Sequence, residues 1–169
     1  MDFEKYIGVV EGFPKEGISF KDISPLLRDP EAFKTCVDEL CKIAEEYHPN
    51  VIIGAESRGF LFGAAMAYKM GIGFVMARKA GKLPGKTHQV TYDLEYGKAT
   101  MEIPFNSFKE GDRVLLVDDL LATGGTFNAL IDLVKKAGGE PVLCEVVIRL
   151  KELEGEKTIP LPTKYLLDL

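Results

Sequence analysis

The feature that most constrains the fold of this sequence is a regular alternation between short, mostly apolar segments and longer amphipathic ones. The apolar segments are VIIGA, GFVMAR, VLLV and PVLCEVVIRL, which begin at residues 51, 73, 114 and 141. Runs of this kind are typical of strands that are covered on both faces, as in a parallel sheet. Residues 29–50, 59–71 and 127–139 have the composition and apolar spacing of helices. The pattern therefore predicts an α/β fold with a doubly wound, mostly parallel sheet.

The chain has 169 residues, without an internal repeat or a linker-like stretch, which predicts a single domain over residues 1–169. Residues 79–91 (KAGKLPGKTHQVT) combine glycine, proline and lysine without apolar periodicity, so we expect a long mobile loop there. The segments YDLEY and ATMEIP, separated by Gly97 and Lys98, predict a β-hairpin after that loop.

The composition of the chain argues against several classes of binding partner. The formal net charge is -5, whereas general binding to nucleic acid usually requires a basic face. No apolar run approaches the roughly 18 residues of a membrane span, and the N-terminus does not have the pattern of a signal peptide. Cys36, Cys41 and Cys144 do not have metal-ligand spacing, which predicts reduced, structural thiols. We therefore expect a cytoplasmic protein that binds neither nucleic acid nor membranes.

The segment VLLVDDLLATGGT, residues 114–126, carries the strongest chemical signal. Two adjacent acids, Asp118 and Asp119, follow an apolar strand, and the turn ATGGT precedes a helix. The N–H groups of a glycine-rich turn and the positive end of a helix together favour phosphate. Carboxylates accept hydrogen bonds from vicinal hydroxyl groups such as those of ribose. The segment predicts a ribose 5-phosphate site. The alternative is a capped helix whose acids serve only the helix dipole.

This segment resembles the phosphoribosyl-pyrophosphate (PRPP) motif of type I phosphoribosyltransferases. FPKEGISFKDISPLLRDP, ESRGFLFG, RKAGKLPGKT and YDLEYGK resemble further segments of the adenine phosphoribosyltransferases in that family, and the likeness covers roughly residues 12 to 150. The resemblance implies the type I fold, with a small N-terminal hood at about residues 1–30 and a flexible loop with a β-hairpin. It also implies transfer of the 5-phosphoribosyl group from PRPP to adenine, giving AMP and pyrophosphate, in a homodimer that requires Mg²⁺. The metal would be held mainly by PRPP, pyrophosphate and water, without a direct protein ligand.

The resemblance also assigns roles to individual residues. Catalysis is assigned to Glu95, Asp118 and Asp119, with Glu95 assisting proton transfer at the base. The ribose 5-phosphate would be bound by Asp118, Asp119, Ala122, Thr123, Gly124, Gly125 and Thr126. The pyrophosphate would be bound by Glu56, Ser57, Arg58, Arg78, Lys79 and Lys82, with a cis peptide between Glu56 and Ser57. Adenine would lie against Ser19, Phe20, Lys21 and Leu120, with Phe20 as its stacking face.

Several alternatives stay open on the sequence. Phe20 could be an ordinary core residue, and Arg58 a surface charge. The base could be hypoxanthine or xanthine, and the fold could serve a regulator that senses PRPP, although such regulators generally carry a DNA-binding domain or basic face. A generic nucleotide-binding domain would be expected to have a Walker A or dinucleotide motif, and this sequence has neither.

Residues that would suit a dimer interface as well as a core are Leu61, Phe62 and Met66. No role is assigned to Lys86, His88, Tyr96 and the C-terminal segment.

Overall fold

The computed structural model describes residues 1–94 and 97–169. Its strands are β1 (Gly8–Glu11), β2 (Ser19–Asp22), β3 (Val51–Ala55), β4 (Gly73–Lys79), β5 (Thr87–Asp93), β6 (Lys98–Pro104), β7 (Arg113–Leu121), β8 (Glu140–Arg149) and β9 (Thr163–Asp168). Its α-helices are α1 (Ser24–Arg28), α2 (Pro30–Glu45), α3 (Gly59–Met70) and α4 (Gly125–Lys136). Short 3-10 helices span Phe3–Tyr6, Lys151–Leu153 and Gly155–Thr158.

The main sheet has the strand order β5-β6-β4-β3-β7-β8-β9. Five adjacent strands, β4, β3, β7, β8 and β9, run parallel to one another. Strand β6 is antiparallel to both β4 and β5. Helices α2 and α3 pack on one face and α4 on the other. The doubly wound, mostly parallel sheet is therefore confirmed. Because the chain goes from β3 to β4 on one side and later returns to β7 on the other, the sheet has a topological switch point between β3 and β7.

Local sequence signals set the helix boundaries. The carboxylate of Asp29 accepts hydrogen bonds from the backbone N–H groups of Glu31 and Ala32, which begins α2 with Pro30 in its first turn. Helix α3 ends at Met70 and is followed by Gly71, which has a φ of 68°, a left-handed conformation that glycine adopts without a steric penalty. Both helix predictions are confirmed, although α2 ends at Glu45, before the end predicted from the sequence.

The N-terminal hood contains β1 and β2, which pair antiparallel in a separate two-stranded sheet. This hairpin agrees with the small N-terminal element of the predicted fold. That the whole chain is one domain stays a prediction.

One prediction about the hairpin region needs correction. The predicted mobile loop at residues 79–91 is wrong at its C-terminal end, because β5 begins at Thr87 and pairs with β6. Its residues Val90 and Tyr92 pack against the core beneath α4, a long-range contact that apolar periodicity alone does not reveal. The hairpin itself is confirmed with a longer first strand.

Strands β4, β7 and β9 also differ from the sequence interpretation. Strand β4 is not buried throughout, because β6 pairs only with its last two residues and Met76 is 42% exposed. Strand β7 continues through Asp118 and Asp119 to Leu121 instead of ending before the acids. Strand β9 was not predicted; it lies parallel to β8 at the sheet edge.

The core accounts for the cysteines and for two of the apolar residues of α3. Phe62 and Met66 are fully buried and belong to the core, whereas Leu61 is 45% exposed. All three cysteines are free and buried, and burial raises the pKa of Cys144 to about 12. Their predicted structural role agrees with this burial.

Among the helices formed by residues 1–94 and 97–169, none has both the length and the apolar character needed to cross a membrane.

Glu145, in β8, is a buried acid within this core. It is completely inaccessible to solvent, and neither of its carboxyl oxygens has a hydrogen-bond partner among residues 1–94 and 97–169. Its neighbours Cys144 and Val146 belong to the core on the α4 side of the sheet, so strand alternation directs Glu145 to the opposite side, where α2 packs. Burial raises the pKa of Glu145 to about 9. The folded protein therefore holds a proton on Glu145 at neutral pH, at a cost in stability.

We expect Glu145→Gln to remove one pH-dependent contribution to stability. The pKa of Glu145 is about 9 in the folded protein, against an ordinary value of 4.5. The folded state therefore binds more protons between these values, and its free energy of unfolding falls as pH rises, by at most about 1.4 kcal/mol per pH unit from this group. Urea unfolding at pH 6 and pH 8.5 should show this slope in the wild type and a smaller one in Glu145→Gln. Glu140→Gln, at an exposed position of the same strand, should keep the wild-type slope. Equal slopes in all three proteins would contradict the assignment.

Candidate active site

The candidate site lies at the carboxyl ends of β3 and β7, beside the topological switch point of the sheet. The segment Glu56–Arg58 follows β3, and the two acids lie near the end of β7. Helix α3 comes close to β7 here, since a Cβ atom at Gly59 would lie 2.8 Å from the carbonyl oxygen of Val117. A side chain at position 59 would force these two segments apart. The glycine thus lets the loop after β3 lie against the acids of β7.

The turn at residues 122–126, called the phosphate turn below, connects β7 to α4. Gly124 has a φ of 90° and immediately precedes the helix, which begins at Gly125. A cavity of about 210 Å³ lies above this turn. It is lined by Arg58, Asp118, Asp119, Leu120, Leu121, Ala122, Thr123, Gly124, Gly125, Thr126 and Phe127. Every residue predicted to bind ribose 5-phosphate therefore lines one cavity, together with Arg58.

The two acids differ in their surroundings. Asp119 is only 4% exposed, and its Oδ2 lies 2.9 Å from Nε of Arg58 in an ion pair. Asp118 accepts a hydrogen bond from the backbone N–H of Asp119 at 2.8 Å. Burial, followed by the neighbouring charge of Asp119, raises the pKa of Asp118 well above its usual range. The cavity therefore has an acidic wall that strongly favours an additional positive charge.

Three of the residues predicted to bind pyrophosphate, Arg78, Lys79 and Lys82, contact Glu56, whereas Arg58 pairs with Asp119 instead. The carboxylate of Glu56 accepts hydrogen bonds from Nζ of Lys82 at 2.6 Å and from the backbone N–H of Lys79 at 2.8 Å, and Nη2 of Arg78 lies 3.5 Å away. Burial opposes the ionisation of Glu56, but these partners outweigh it and lower its pKa to about 2. Glu56 is therefore an anion that gathers the cations. The peptide between Glu56 and Ser57 is cis, as the resemblance implied.

Glu102 anchors the basic loop after β4, a contact that the sequence did not reveal. It is 2% exposed and accepts hydrogen bonds from the backbone N–H groups of Gly81 and Leu83, both at 3.1 Å. Its other oxygen accepts from Thr87 at 3.2 Å and Gln89 at 2.9 Å. The one local sign of this role was the position of Glu102 among the apolar residues of the segment TMEIP. The hydrogen-bond partners of Glu102 lie 13 to 21 positions away in the sequence.

The predicted adenine residues do not all line one cavity, because Ser19 and Lys21 line a different cavity from Leu120. Phe20 of the hood contacts Arg58, whose Cζ lies 5.0 Å from the centre of the ring. Leu120 lines the cavity above the phosphate turn. A second cavity of about 540 Å³ lies between the hood and the C-terminal segment. It is lined by Gly17, Ile18, Ser19, Lys21, Leu150, Glu152, Leu153 and Leu169. The last four belong to the C-terminal segment, to which no role was assigned from the sequence.

Some predicted residues do not join these cavities or cannot be placed. Glu95, the predicted catalytic acid, and Tyr96 lie outside the described residues. Lys86 lies with its Nζ 3.7 Å from the ring centre of Phe105, and His88 stacks on the same ring at 4.4 Å. The structure thus gives Lys86 and His88 a contact with Phe105 in the hairpin region.

Comparison with known proteins identifies the family. Residues 23–161 match the family model of the phosphoribosyl transferase domain. The chain is 50% identical over 159 residues to adenine phosphoribosyltransferase of Desulfitobacterium hafniense, covering 94% of this chain and 92% of that protein. The chain belongs to the adenine phosphoribosyltransferase family.

Solved structures of this family agree with the fold. The adenine phosphoribosyltransferase of Thermoanaerobacter pseudethanolicus superposes with a TM-score of 0.96 at 42% identity, covering 99% of this chain and 98% of that one. The enzyme of Saccharomyces cerevisiae was solved with adenine and an imino-altritol bisphosphate. It superposes with a TM-score of 0.92 at 38% identity, covering 98% of this chain and 97% of the yeast chain. The predicted type I phosphoribosyltransferase fold is therefore confirmed.

Proposed function

We propose that this protein transfers the 5-phosphoribosyl group of PRPP to adenine, producing AMP and pyrophosphate for purine salvage. The observation that carries the proposal is the single cavity in which the two acids, the phosphate turn and Arg58 meet. The hood adds the aromatic ring of Phe20 directly beside Arg58. A phosphate seat, acceptors for ribose hydroxyls and an aromatic face are the groups that these substrates require.

Each wall of the cavity has a part in the proposed reaction. The N–H groups of the phosphate turn hold the 5-phosphate, and Asp118 and Asp119 accept hydrogen bonds from the ribose hydroxyls. As pyrophosphate leaves, positive charge develops at C1 of the ribose, and the acidic wall stabilises it. The bond from C1 to pyrophosphate breaks as N9 of adenine forms its bond to C1, and the base loses a proton. Glu95 is proposed to assist this proton transfer.

The cluster around Glu56 is proposed to receive the leaving pyrophosphate. Arg78 and Lys82 carry positive charge, and Glu56 already brings them together. A diphosphate can replace the carboxylate as their partner, since phosphate oxygens accept the same charge-assisted hydrogen bonds. The basic loop that contains Lys82 would then close over PRPP and exclude water.

We propose that Mg²⁺ binds together with the diphosphate group of PRPP. Among residues 1–94 and 97–169, no group of three or more histidine, cysteine or acidic side chains is arranged to hold a metal ion. Its oxygen ligands would therefore come mainly from PRPP, pyrophosphate and water, as Mg²⁺ commonly accepts. Bound there, the ion would neutralise charge on the leaving group.

We also propose a homodimer and a cytoplasmic location. Leu61 and Tyr68 lie seven positions apart on α3 and are 45% and 92% exposed, and Met76 of β4 is 42% exposed. A second copy of the chain would cover these apolar side chains. The three free thiols are typical of a reducing compartment.

The proposed function is tested by product analysis. Purified protein is incubated with PRPP, Mg²⁺ and adenine, hypoxanthine, guanine or xanthine in separate reactions, and the nucleotides are separated by chromatography. We expect AMP from adenine and at most traces from the other bases. A nucleotide formed only from hypoxanthine or xanthine would contradict the assignment of the base. Absence of product from every base would contradict the function.

Phe20→Ala should weaken adenine binding with little effect on ribose 5-phosphate. Stacking of a base on an aromatic ring contributes about 1–3 kcal/mol, so the Kd of adenine should rise by about 5- to 150-fold. Calorimetry with adenine in the presence of ribose 5-phosphate measures this without turnover. Phe105→Ala, which removes a ring that contacts Lys86 and His88, is the matched control. Wild-type adenine affinity in Phe20→Ala would mean that Phe20 only packs the hood.

A further inference from the structure

The 3-10 helix Gly155–Thr158, called the brace below, packs directly against the phosphate turn. A Cβ atom at Gly155 would overlap the carbonyl oxygen of Ala122 and would lie 3.0 Å from the backbone nitrogen of Gly124. The two backbones are therefore in contact, without a side chain between them. Such an approach is possible only with glycine at position 155.

Thr158 links the brace to the phosphate turn and to α4. Its Oγ1 lies 2.8 Å from the carbonyl oxygen of Gly155 and 3.2 Å from that of Thr123, and its single hydrogen is shared between these two acceptors. The same oxygen accepts a hydrogen bond from Nδ2 of Asn128 at 3.2 Å. Nδ2 of Asn128 also donates to the carbonyl oxygen of Gly124 at 3.1 Å. One hydroxyl group thus joins three segments of the chain.

These contacts help to orient the N–H groups of the turn, together with the backbone hydrogen bond from the N–H of Asn128 to the carbonyl oxygen of Gly124 at 3.0 Å. In a planar trans peptide, the N–H points opposite to the carbonyl group. The carbonyl oxygens of Thr123 and Gly124 are directed to Thr158 and Asn128. The N–H groups of Gly124 and Gly125 are therefore directed away from these partners, and both glycines line the cavity above the turn.

The brace is itself fixed to the sheet through Arg149. Nη1 of Arg149 lies 2.8 Å from Oε1 of Glu156. Its Nε and Nη2 donate to the two carboxylate oxygens of Asp168 at 2.8 and 2.9 Å, and its Cζ lies 4.7 Å from the ring centre of Tyr165. A bidentate, stacked arginine has few alternative positions. Arg149 therefore connects the brace to β8 and β9 as a rigid support.

We propose that Thr158 is a positioning residue for phosphate binding: the brace holds the phosphate turn in the conformation whose N–H groups face the 5-phosphate. Thr158 acts through the turn and does not itself line the cavity. This inference rests on the proposed function for the identity of the ligand. It assigns a role to the C-terminal segment, whose sequence did not indicate one.

The test measures the Kd of ribose 5-phosphate by calorimetry for wild type, Thr158→Val and Thr158→Ser. Valine keeps the shape of threonine and removes the hydroxyl, so the Kd should rise by about 5- to 10-fold, as expected for a lost hydrogen bond. The KM of PRPP should rise in proportion, with a smaller change in kcat. Serine keeps the hydroxyl and should restore the affinity. Thr163→Val is the matched control, because the hydroxyl of Thr163 also donates to a backbone carbonyl, that of Leu161, at the start of β9.

The outcomes separate this inference from the proposed function. A folded Thr158→Val protein with wild-type affinity for ribose 5-phosphate overturns the positioning role. If Thr158→Val does not fold, Glu156→Ala decides, since it removes the contact between Arg149 and the brace and leaves every residue of the turn in place; unchanged affinity in folded Glu156→Ala then overturns the role. Failure of the wild type to bind ribose 5-phosphate would instead contradict the proposed function of the cavity.

Discussion

Replacing both acids of β7 with asparagine (Asp118→Asn with Asp119→Asn) should lower kcat/KM by about 100-fold or more, because the acidic wall stabilises a cationic transition state. Asparagine keeps the shape and one acceptor oxygen of each side chain but removes the negative charge. Arg58 also loses its ionic partner, since its Nε lies 2.9 Å from Asp119. The positive charge at C1 would then face an uncompensated guanidinium group. The loss should therefore fall on the chemical step more than on the binding of adenine.

Steady-state and single-turnover rates with saturating PRPP measure this effect. Asp112→Asn is the matched control, since Asp112 is also buried and immediately precedes β7 at its opposite end. Its hydrogen bonds to Asn50 and Lys109 are structural. The control variant should keep a near-wild-type rate per folded molecule. Near-wild-type rates in the double variant would support the alternative in which the acids only serve the helix dipole.

The parts of the fold that the sequence predicted are those with local signals. Strand β3 is a continuous apolar run and β8 is mostly apolar, while α2 has a capping residue, a first-turn proline and an apolar stripe. Strand β9 (TKYLLD) is only partly buried, and it forms because the open edge of β8 accepts it. Strand β5 is likewise fixed by its pairing with β6. Such partners lie outside any local window of sequence.

The same distinction applies to the candidate site. The phosphate turn was predictable because its glycines, hydroxyl groups and position between a strand and a helix are adjacent in sequence. Glu56 was assigned to pyrophosphate, yet the structure shows a carboxylate whose charge is matched by Lys82 and Arg78. Lys82 is 26 positions from Glu56, and Thr158 is 35 positions from Thr123. Contacts between such distant residues depend on the completed fold.

Gly125→Val should abolish binding of ribose 5-phosphate and PRPP while the protein still folds. A Cβ atom at Gly125 would have Oγ1 of Thr123 and Cδ2 of Tyr92 as its nearest neighbours, each 3.9 Å away, which is ordinary van der Waals contact. Gly125 is the first residue of α4, where valine is sterically tolerated. The branched side chain would stand in the cavity and exclude the phosphate from the N–H groups at the start of the helix. The substitution should therefore lower the affinity for the ligand and leave the stability of the fold nearly unchanged.

Gly124→Val separates this effect from damage to the fold. Gly124 has a φ of 90°, and a Cβ atom there would overlap Oγ1 of Thr158 in the brace, so this variant should lose thermal stability as well as affinity. Thermal unfolding and calorimetry with ribose 5-phosphate and PRPP, applied to both variants, measure the two effects independently. We expect the Tm of Gly125→Val to stay close to that of the wild type, with no measurable binding of either ligand. Tight PRPP binding by folded Gly125→Val would show that the 5-phosphate lies elsewhere, because a valine at the start of α4 and a phosphate on the N–H group of the same residue cannot occupy one space.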